Sequence, residues 1–162
     1  MKKPYTASYA YDNIKDRVDQ YKVQNQPGNT GVKASYMLHL DSSTGISVRL
    51  APAEGGPAID PSSLGSLVSG SSGDNVKQAQ VTGPQNDGSY VLRLDGISAH
   101  RLADYLEVTG TAGSDGFSVG VCALSYARTV FWTSAYDDST KDAMAAFLEY
   151  YEAAVAYWKA TA

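Results

Sequence analysis

A short run of residues, Gly116-Phe-Ser-Val-Gly120, matches the G-x-S-x-G pattern that surrounds the nucleophile of many serine hydrolases. In those enzymes the serine lies on a tight turn between a strand and a helix, and the catalytic histidine follows it in the chain. Here a glycine-rich segment precedes Ser118, an alternating apolar pattern follows it, and both histidines come earlier. We therefore interpret the match as coincidental.

The remaining residues that can do chemistry are one cysteine and two histidines. Cys122 follows Val121 and precedes apolar residues, which favours a small buried side chain over a nucleophile, and a single cysteine forms no internal disulfide. His39 falls on the outer face of a predicted hairpin and His100 in a polar turn, so both are expected to be solvated. Two histidines without carboxylates at a defined spacing make no metal site. The sequence thus predicts no catalytic residue, no metal and no cofactor.

Length and composition restrict the class of protein. The 162 residues, of which 43% are hydrophobic and 19% charged, fit a single folded domain that needs no disulfide or metal. The net charge of −4 argues against a nucleic-acid partner, and no apolar run approaches the ~18 residues of a membrane span. Tyrosine is enriched, with 12 residues against 3 Phe and 2 Trp, a bias of both β-rich folds and binding surfaces.

Alternating apolar residues predict antiparallel strands that would hold any site. The clearest case is a hairpin, in which residues 34–40 and 46–50 alternate on either side of a turn at 41–45. Further strands are predicted at 90–94, 105–109 and 117–121, and Gly110 to Gly116 is expected to form a flexible turn.

Two regions flank or interrupt these strands. Residues 1–31 are predicted to hold a helix, Tyr9–Val23, and a linker, and residues 32–162 form the main module. A Gly/Ser/Pro-rich insertion covers about 51–88. Within it, Asp60 and Pro61 predict a capped short helix with Leu64, Leu67 and Val68 on one face, and residues 76–82 predict a strand.

Helical periodicity returns near the C-terminus. A short helix is predicted over Ala123–Trp132, and a long amphipathic helix runs from about Ser139 to Lys159, capped by Asp138 or Ser139. Its apolar stripe is expected to dock on the sheet and consists of Met144, Phe147, Leu148, Tyr151, Val155 and Trp158. The predicted fold class is α+β, with an antiparallel sheet or sandwich-like core packed by the long C-terminal helix and the short preceding helix.

Several of these segments carry a loose resemblance to a known group of proteins. The matching segments are residues 34–40 and 46–50, residues 90–99, residues 117–121 and 124–127, and the closing residues 147–158. They resemble uncharacterised C-terminal modules of large secreted or cell-surface proteins of gut Gram-positive bacteria. The resemblance covers about residues 32–160, from which the insertion and the N-terminal helix depart. It implies an extracellular location beside other domains and transfers no catalytic residue.

Three functions follow as hypotheses. The first is a non-catalytic module of an exported or cell-surface protein, in adhesion or as a spacer, whose partners are neighbouring domains or a host ligand. The second is a small-ligand or glycan-binding domain with stacking platforms at Tyr36, Tyr90, Tyr105 and Trp132. The third is a cytoplasmic protein that homodimerises through the tyrosine-rich final helix.

Overall fold

Two antiparallel sheets form the centre of the protein. The computed structural model describes residues 10–25, 31–40, 43–69, 80–133 and 135–161. In this part of the chain one sheet has the strand order β1-β2-β5-β4 and the other has the order β3-β6-β7. The strands are β1 (Val32–His39), β2 (Gly45–Pro52), β3 (Gly65–Ser69), β4 (Gln80–Thr82), β5 (Tyr90–Leu94), β6 (Tyr105–Ala112) and β7 (Asp115–Val121).

The apolar faces of the two sheets share one core. Val48 and Leu92, which are register partners in the first sheet, belong to the same buried cluster as Val108 and Val119, which are partners in the second. Because successive side chains of a strand point to opposite faces, the alternating pattern of the sequence places these residues inside. The prediction of an α+β fold with a sandwich-like core is confirmed.

Inside the glycine-rich insertion the structure differs from the sequence-based prediction. Asp60 does cap a turn, since its Oδ1 accepts a hydrogen bond from the backbone nitrogen of Ser62 at 3.0 Å. However, only Pro61–Ser63 is helical, and the predicted helical face of Leu64, Leu67 and Val68 is wrong. Leu64 is already extended, and the next residues pair with β6, because a sheet ladder stabilises the segment more than one isolated helical turn does. Of the strand predicted over 76–82, residues 80–82 form β4 and the others lie outside the described residues.

The segment that was predicted to be a flexible turn after residue 109 is mostly strand. Strand β6 continues to Ala112 and β7 begins at Asp115, so the turn is only two residues long. Gly110 pairs with Phe117 across these strands, and a Cβ atom at Gly110 would lie 2.7 Å from Cζ of that ring. The glycine is therefore required by close side-chain packing and does not mark a chain reversal.

Among the described residues, three helices cover one end of the sandwich: α1 (Tyr11–Val18), α2 (Ala123–Trp132) and α3 (Asp138–Thr161). Helix α2 has the predicted bounds, whereas α1 is shorter than the predicted 9–23 because a turn follows it at Asp19. Ile14 and Val18 of α1 are buried in the same cluster as the inner faces of α2 and α3. The division of the chain at residue 31 stays a prediction.

The long helix α3 is well packed only in its first half. Its N-terminus is capped by Asp137, whose Oδ1 accepts a hydrogen bond from the backbone nitrogen of Thr140 at 2.9 Å, and not by the predicted Asp138 or Ser139. Leu148 is only 1% exposed, whereas Trp158 is 48% exposed. The main contacts of α3 are with α2 and with a 3-10 turn, Ala99–Arg101, so the expectation that it docks directly on the sheet is wrong. The inner face of α2 already supplies an apolar surface, through residues such as Ala127 and Val130.

Candidate functional site

A cavity of about 380 Å³ lies where one end of the sandwich meets the helices. That volume falls in the range of small-molecule sites, roughly 300–1,000 Å³. Residues from β2, β3, β5 and β6 meet there with the starts of α2 and the 3-10 turn and with the last turns of α3. The lining residues are Ile46, Val68, Leu94, Asp95, Gly96, Ile97, Ser98, His100, Arg101, Asp104, Leu106, Cys122, Ala123 and Trp158.

The floor of the cavity is apolar. Ile46, Leu94 and Leu106 reach it from both sheets and are buried. Cys122 closes the floor and is 1% exposed. Burial raises the pKa of its thiol to about 11, although hydrogen bonds from the backbone of Ser125 and Leu124 oppose that effect. The thiol is therefore protonated at neutral pH and acts as a small apolar surface, which confirms the prediction of a buried cysteine.

Hydrogen bonds at the start of α2 fix the position of Cys122. The hydroxyl of Ser125 accepts a hydrogen bond from the backbone nitrogen of Cys122 at 3.0 Å and donates to its carbonyl oxygen at 2.6 Å. The backbone nitrogen of Leu124 donates to the carbonyl oxygen of Leu102 at 3.3 Å, which ties α2 to the chain that follows the 3-10 turn. These bonds satisfy backbone groups that a helix start would otherwise leave without partners.

The mouth of the cavity carries the polar side chains. The segment from Asp95 to Ser98 leaves β5 and is held by a hydrogen bond of 2.9 Å from the backbone nitrogen of Ile97 to the carbonyl oxygen of Thr44. The 3-10 turn then places His100 and Arg101 side by side, and the Arg101 Nε donates to the His100 Nε2 at 3.4 Å. Leu102 is fully buried directly after the turn and anchors it to the helices.

Asp104 completes the mouth beside Arg101 and His100. It is half-buried, and burial raises the pKa of its carboxyl, while electrostatic interactions with Arg101 and His100 oppose that effect. A positive and a negative side chain thus stand together at the rim above an apolar floor. This arrangement can bind a molecule that has an apolar body and a polar, hydrogen-bonding end.

Trp158 closes the cavity from above. Its indole lies parallel to the imidazole of His100, with ring centroids 4.1 Å apart and an angle of 7° between the planes. Trp158 comes from the last turns of α3, where the neighbouring residues 156, 157 and 159 are exposed. The stacked pair therefore connects a largely exposed part of α3 to the rim of the cavity.

The structure corrects the expectation for both histidines. His100 was expected to be solvated, but it is half-buried because Trp158 covers it. His39 is also half-buried, and its Nε2 lies 2.8 Å from the hydroxyl of Ser47 on the adjacent strand. The sequence did contain a signal for the mouth: Ser98, His100, Arg101 and Asp104 cluster around one predicted polar turn. It contained no signal that Trp158 would reach them.

The four aromatic residues predicted as stacking platforms do not line this cavity. Tyr90 is buried in the core between the sheets. Tyr36 is half-buried under α2, and its hydroxyl donates to the carbonyl oxygen of Ser125 at 2.9 Å. The hydroxyl of Tyr105 donates to the carbonyl oxygen of Lys22 at 2.9 Å. The hydroxyls of Tyr36 and Tyr105 thus bond within the fold, because a half-buried tyrosine needs a partner for its polar tip.

Trp132, the fourth predicted platform, lies at the end of α2 and is 44% exposed. Its indole nitrogen donates to the carbonyl oxygen of Lys15 at 3.2 Å, and the ammonium group of Lys15 lies 4.3 Å from the ring centroid. The guanidinium of Arg128 lies over the same ring at 5.1 Å. Cations of α1 and α2 therefore contact the indole, which joins these two helices.

The serine of the G-x-S-x-G match has no catalytic surroundings. Ser118 lies within β7 opposite Thr109, and its hydroxyl approaches a carboxylate oxygen of Glu107 at 3.4 Å. A strand interior is not the exposed strand-to-helix turn that this nucleophile needs. Across the described ranges, no group of three or more His, Cys, Asp or Glu residues is arranged to hold a metal ion.

Comparisons with known proteins give no relative: no protein family, curated protein or solved structure matches this chain. Among the helices of the described residues, none has the length and apolar character that crossing a membrane requires.

Proposed function

We propose that this protein is a non-catalytic module that binds a small amphipathic molecule in the cavity beneath Trp158. One observation carries the proposal: an apolar floor of about 380 Å³ opens to a rim where His100, Arg101 and Asp104 converge. Buried apolar area supplies most of the affinity of such sites, and a few convergent polar groups orient the ligand.

The composition of the site supports binding over catalysis. Cys122 is protonated at neutral pH and 1% exposed, so it is a poor nucleophile. The charges of Arg101 and Asp104 offset each other at the rim, which favours a ligand whose polar end is uncharged or zwitterionic. The aromatic pair His100 and Trp158 adds a flat apolar surface above it.

A thermal-shift screen against small amphipathic molecules tests the proposal, with hits confirmed by the quenching of tryptophan fluorescence. The blocking variant is Ser98→Trp, because Ser98 lies at the mouth, is exposed, and makes no side-chain cap bond. Its matched control is Ser98→Ala. Ligands should stabilise the wild type and Ser98→Ala but not Ser98→Trp. Equal binding to all three proteins, or no hit among amphipathic molecules, would contradict the proposal.

We also propose, from the sequence resemblance, that this module belongs to an exported or cell-surface bacterial protein and takes part in adhesion or spacing. The resemblance of residues 32–160 supports this placement, and cytoplasmic residence is the alternative. A binding screen against host glycans and matrix proteins, run beside a hydrolase screen, tests it. Robust turnover of any substrate would refute a non-catalytic role.

A further inference from the structure

The outward face of α3 has a regular apolar pattern that the described fold leaves uncovered. Five residues repeat at alternating spacings of four and three, the spacing of a coiled-coil seam: Ala146, Tyr150, Ala153, Tyr157 and Ala160. All five are exposed, and Tyr150 and Tyr157 are 60% and 72% exposed. We call these five residues the outer seam. A solvated helix face normally carries charges, but the charged residues of this half, Glu149, Glu152 and Lys159, lie off the seam.

The outer seam is distinct from the side of α3 that packs inward. Met144 and Leu148 point toward α2 and lie on the opposite side of the helix from Tyr150 and Ala153, while Trp158 reaches the cavity from a flank of the helix. A partner can therefore dock on the outer seam without displacing any contact of the fold. Contiguous exposed apolar surface of this kind marks interaction sites.

We propose that the outer seam pairs with the outer seam of a second copy of this chain, with the two α3 helices antiparallel. In an antiparallel pair, the tyrosine positions of one seam face alanine positions of the other seam. Tyr150 of one copy then faces Ala153 of the other, and Tyr157 faces Ala146. Each large ring fills the space above a methyl group, which is the alternation of large and small residues that close helix packing requires. A two-fold axis relates the copies, as in most homodimers.

A parallel pair fits less well. Parallel helices place like positions together, so Tyr150 would face Tyr150 and Ala153 would face Ala153. Layers of two tyrosines would then alternate with layers of two alanines along the seam. The two helices could not keep one distance that packs both kinds of layer.

The area of the outer seam sets the expected affinity of one copy for the other. Four half- to three-quarter-exposed tyrosine rings bury roughly 500 Å² in a pair, and the alanines and flanking residues add to it. The total is near the lower limit of specific interfaces, on the order of 1,000 Å². We therefore expect a reversible dimer that forms at concentrations of about 10–1,000 µM.

Sedimentation velocity of the whole chain across about 5–500 µM measures this association. Tyr157→Lys should raise the dissociation constant by at least about tenfold, because it places a charge at a buried interface position. The control, Met37→Lys, introduces the same charge at another exposed apolar residue, on β1, and should leave association unchanged. A charge on the inner side of α3, as in Phe147→Asp, would not test the outer seam, because Phe147 is buried in the fold and its replacement would destabilise the protein itself. A protein that is monomeric throughout, or a dimer that Tyr157→Lys does not weaken, would overturn the proposal.

Disulfide trapping determines the orientation of the helices. Tyr150→Cys and Ala153→Cys proteins are mixed and oxidised, while the buried Cys122 stays unreactive. The antiparallel pair predicts a mixed disulfide between positions 150 and 153. A cross-link only between two copies of Tyr150→Cys would show a parallel pair and refute the antiparallel arrangement.

Discussion

The imidazole of His100 and the indole of Trp158 stack in parallel, with their centroids 4.1 Å apart. This contact joins a short turn after the sheet to the last turns of the longest helix. Most of the residues between Glu149 and Thr161 are exposed, so the pair is a main attachment of that half of the helix. Arg17 and Glu152, which form a partly exposed ion pair, provide another. The end of α3 therefore rests on the 3-10 turn, directly above the proposed ligand site.

Removing the indole should affect the cavity more than the fold. Trp158→Ala eliminates the stacked contact, worth about 0.5–1.5 kcal/mol, and opens the apolar floor to water. We expect a small loss of stability and at least about a tenfold loss of affinity for any ligand of the cavity, measured by calorimetry. Trp132→Ala is the matched control, since Trp132 is similarly exposed, at 44%, and lies outside the cavity. Equal losses of affinity in the two variants would argue against Trp158 as the roof.

The two halves of α3 should differ in their contribution to stability. Leu148→Ala removes a side chain that is 1% exposed and should cost about 2–5 kcal/mol in free energy of unfolding. Val155→Ala removes a half-buried side chain and should cost less than about 1 kcal/mol. Urea unfolding measures both values, and hydrogen exchange should be faster after residue 151. Similar costs at the two positions would show that the helix is packed evenly.

The buried thiol predicts sensitivity to alkaline pH. The pKa of Cys122 rises from 9.0 to about 11 on folding, so the folded state favours the protonated form. This contribution is complete below pH 9, and it is lost as the pH rises from 9 through about 11, to a total on the order of 3 kcal/mol. Cys122→Ala should flatten this part of the profile in thermal unfolding. Rapid alkylation of the native wild type at pH 8 would show that the thiol is accessible, contrary to this prediction.

The position of the α3 cap can be tested by two alanine substitutions. Asp137→Ala should destabilise the protein, because it removes the acceptor for the backbone nitrogen of Thr140. Ser139→Ala should have little effect. The same hydrogen bond lowers the pKa of Asp137 from 3.8, so its stabilising effect is present above pH 3.8 and is lost as the pH falls through the lowered value. Thermal unfolding at pH 7 and pH 2 should therefore differ less in Asp137→Ala than in the wild type.

The sequence predicted the elements whose signal is local. The strand over Tyr90–Leu94 and the helix over Ala123–Trp132 have the predicted bounds, because each has a continuous apolar periodicity. Predictions failed where pairing partners decide the conformation. Leu67 joined a strand because β6 offers it a ladder, and Gly110 stayed in a strand because Phe117 needs the space. Such partners are distant in the chain, and periodicity contains no information about them.

The sequence by itself determined the α+β composition of this protein, its buried cysteine and the amphipathic character of its last helix. Only the tertiary structure decided that Trp158 would cover His100 and that Tyr36, Tyr90 and Tyr105 would be enclosed by the fold. The reason is physical: the apolar stripe of α3 is continuous, but the surface beneath it is not. The inner side of α2 covers the first half of the stripe, and the second half extends over a cavity.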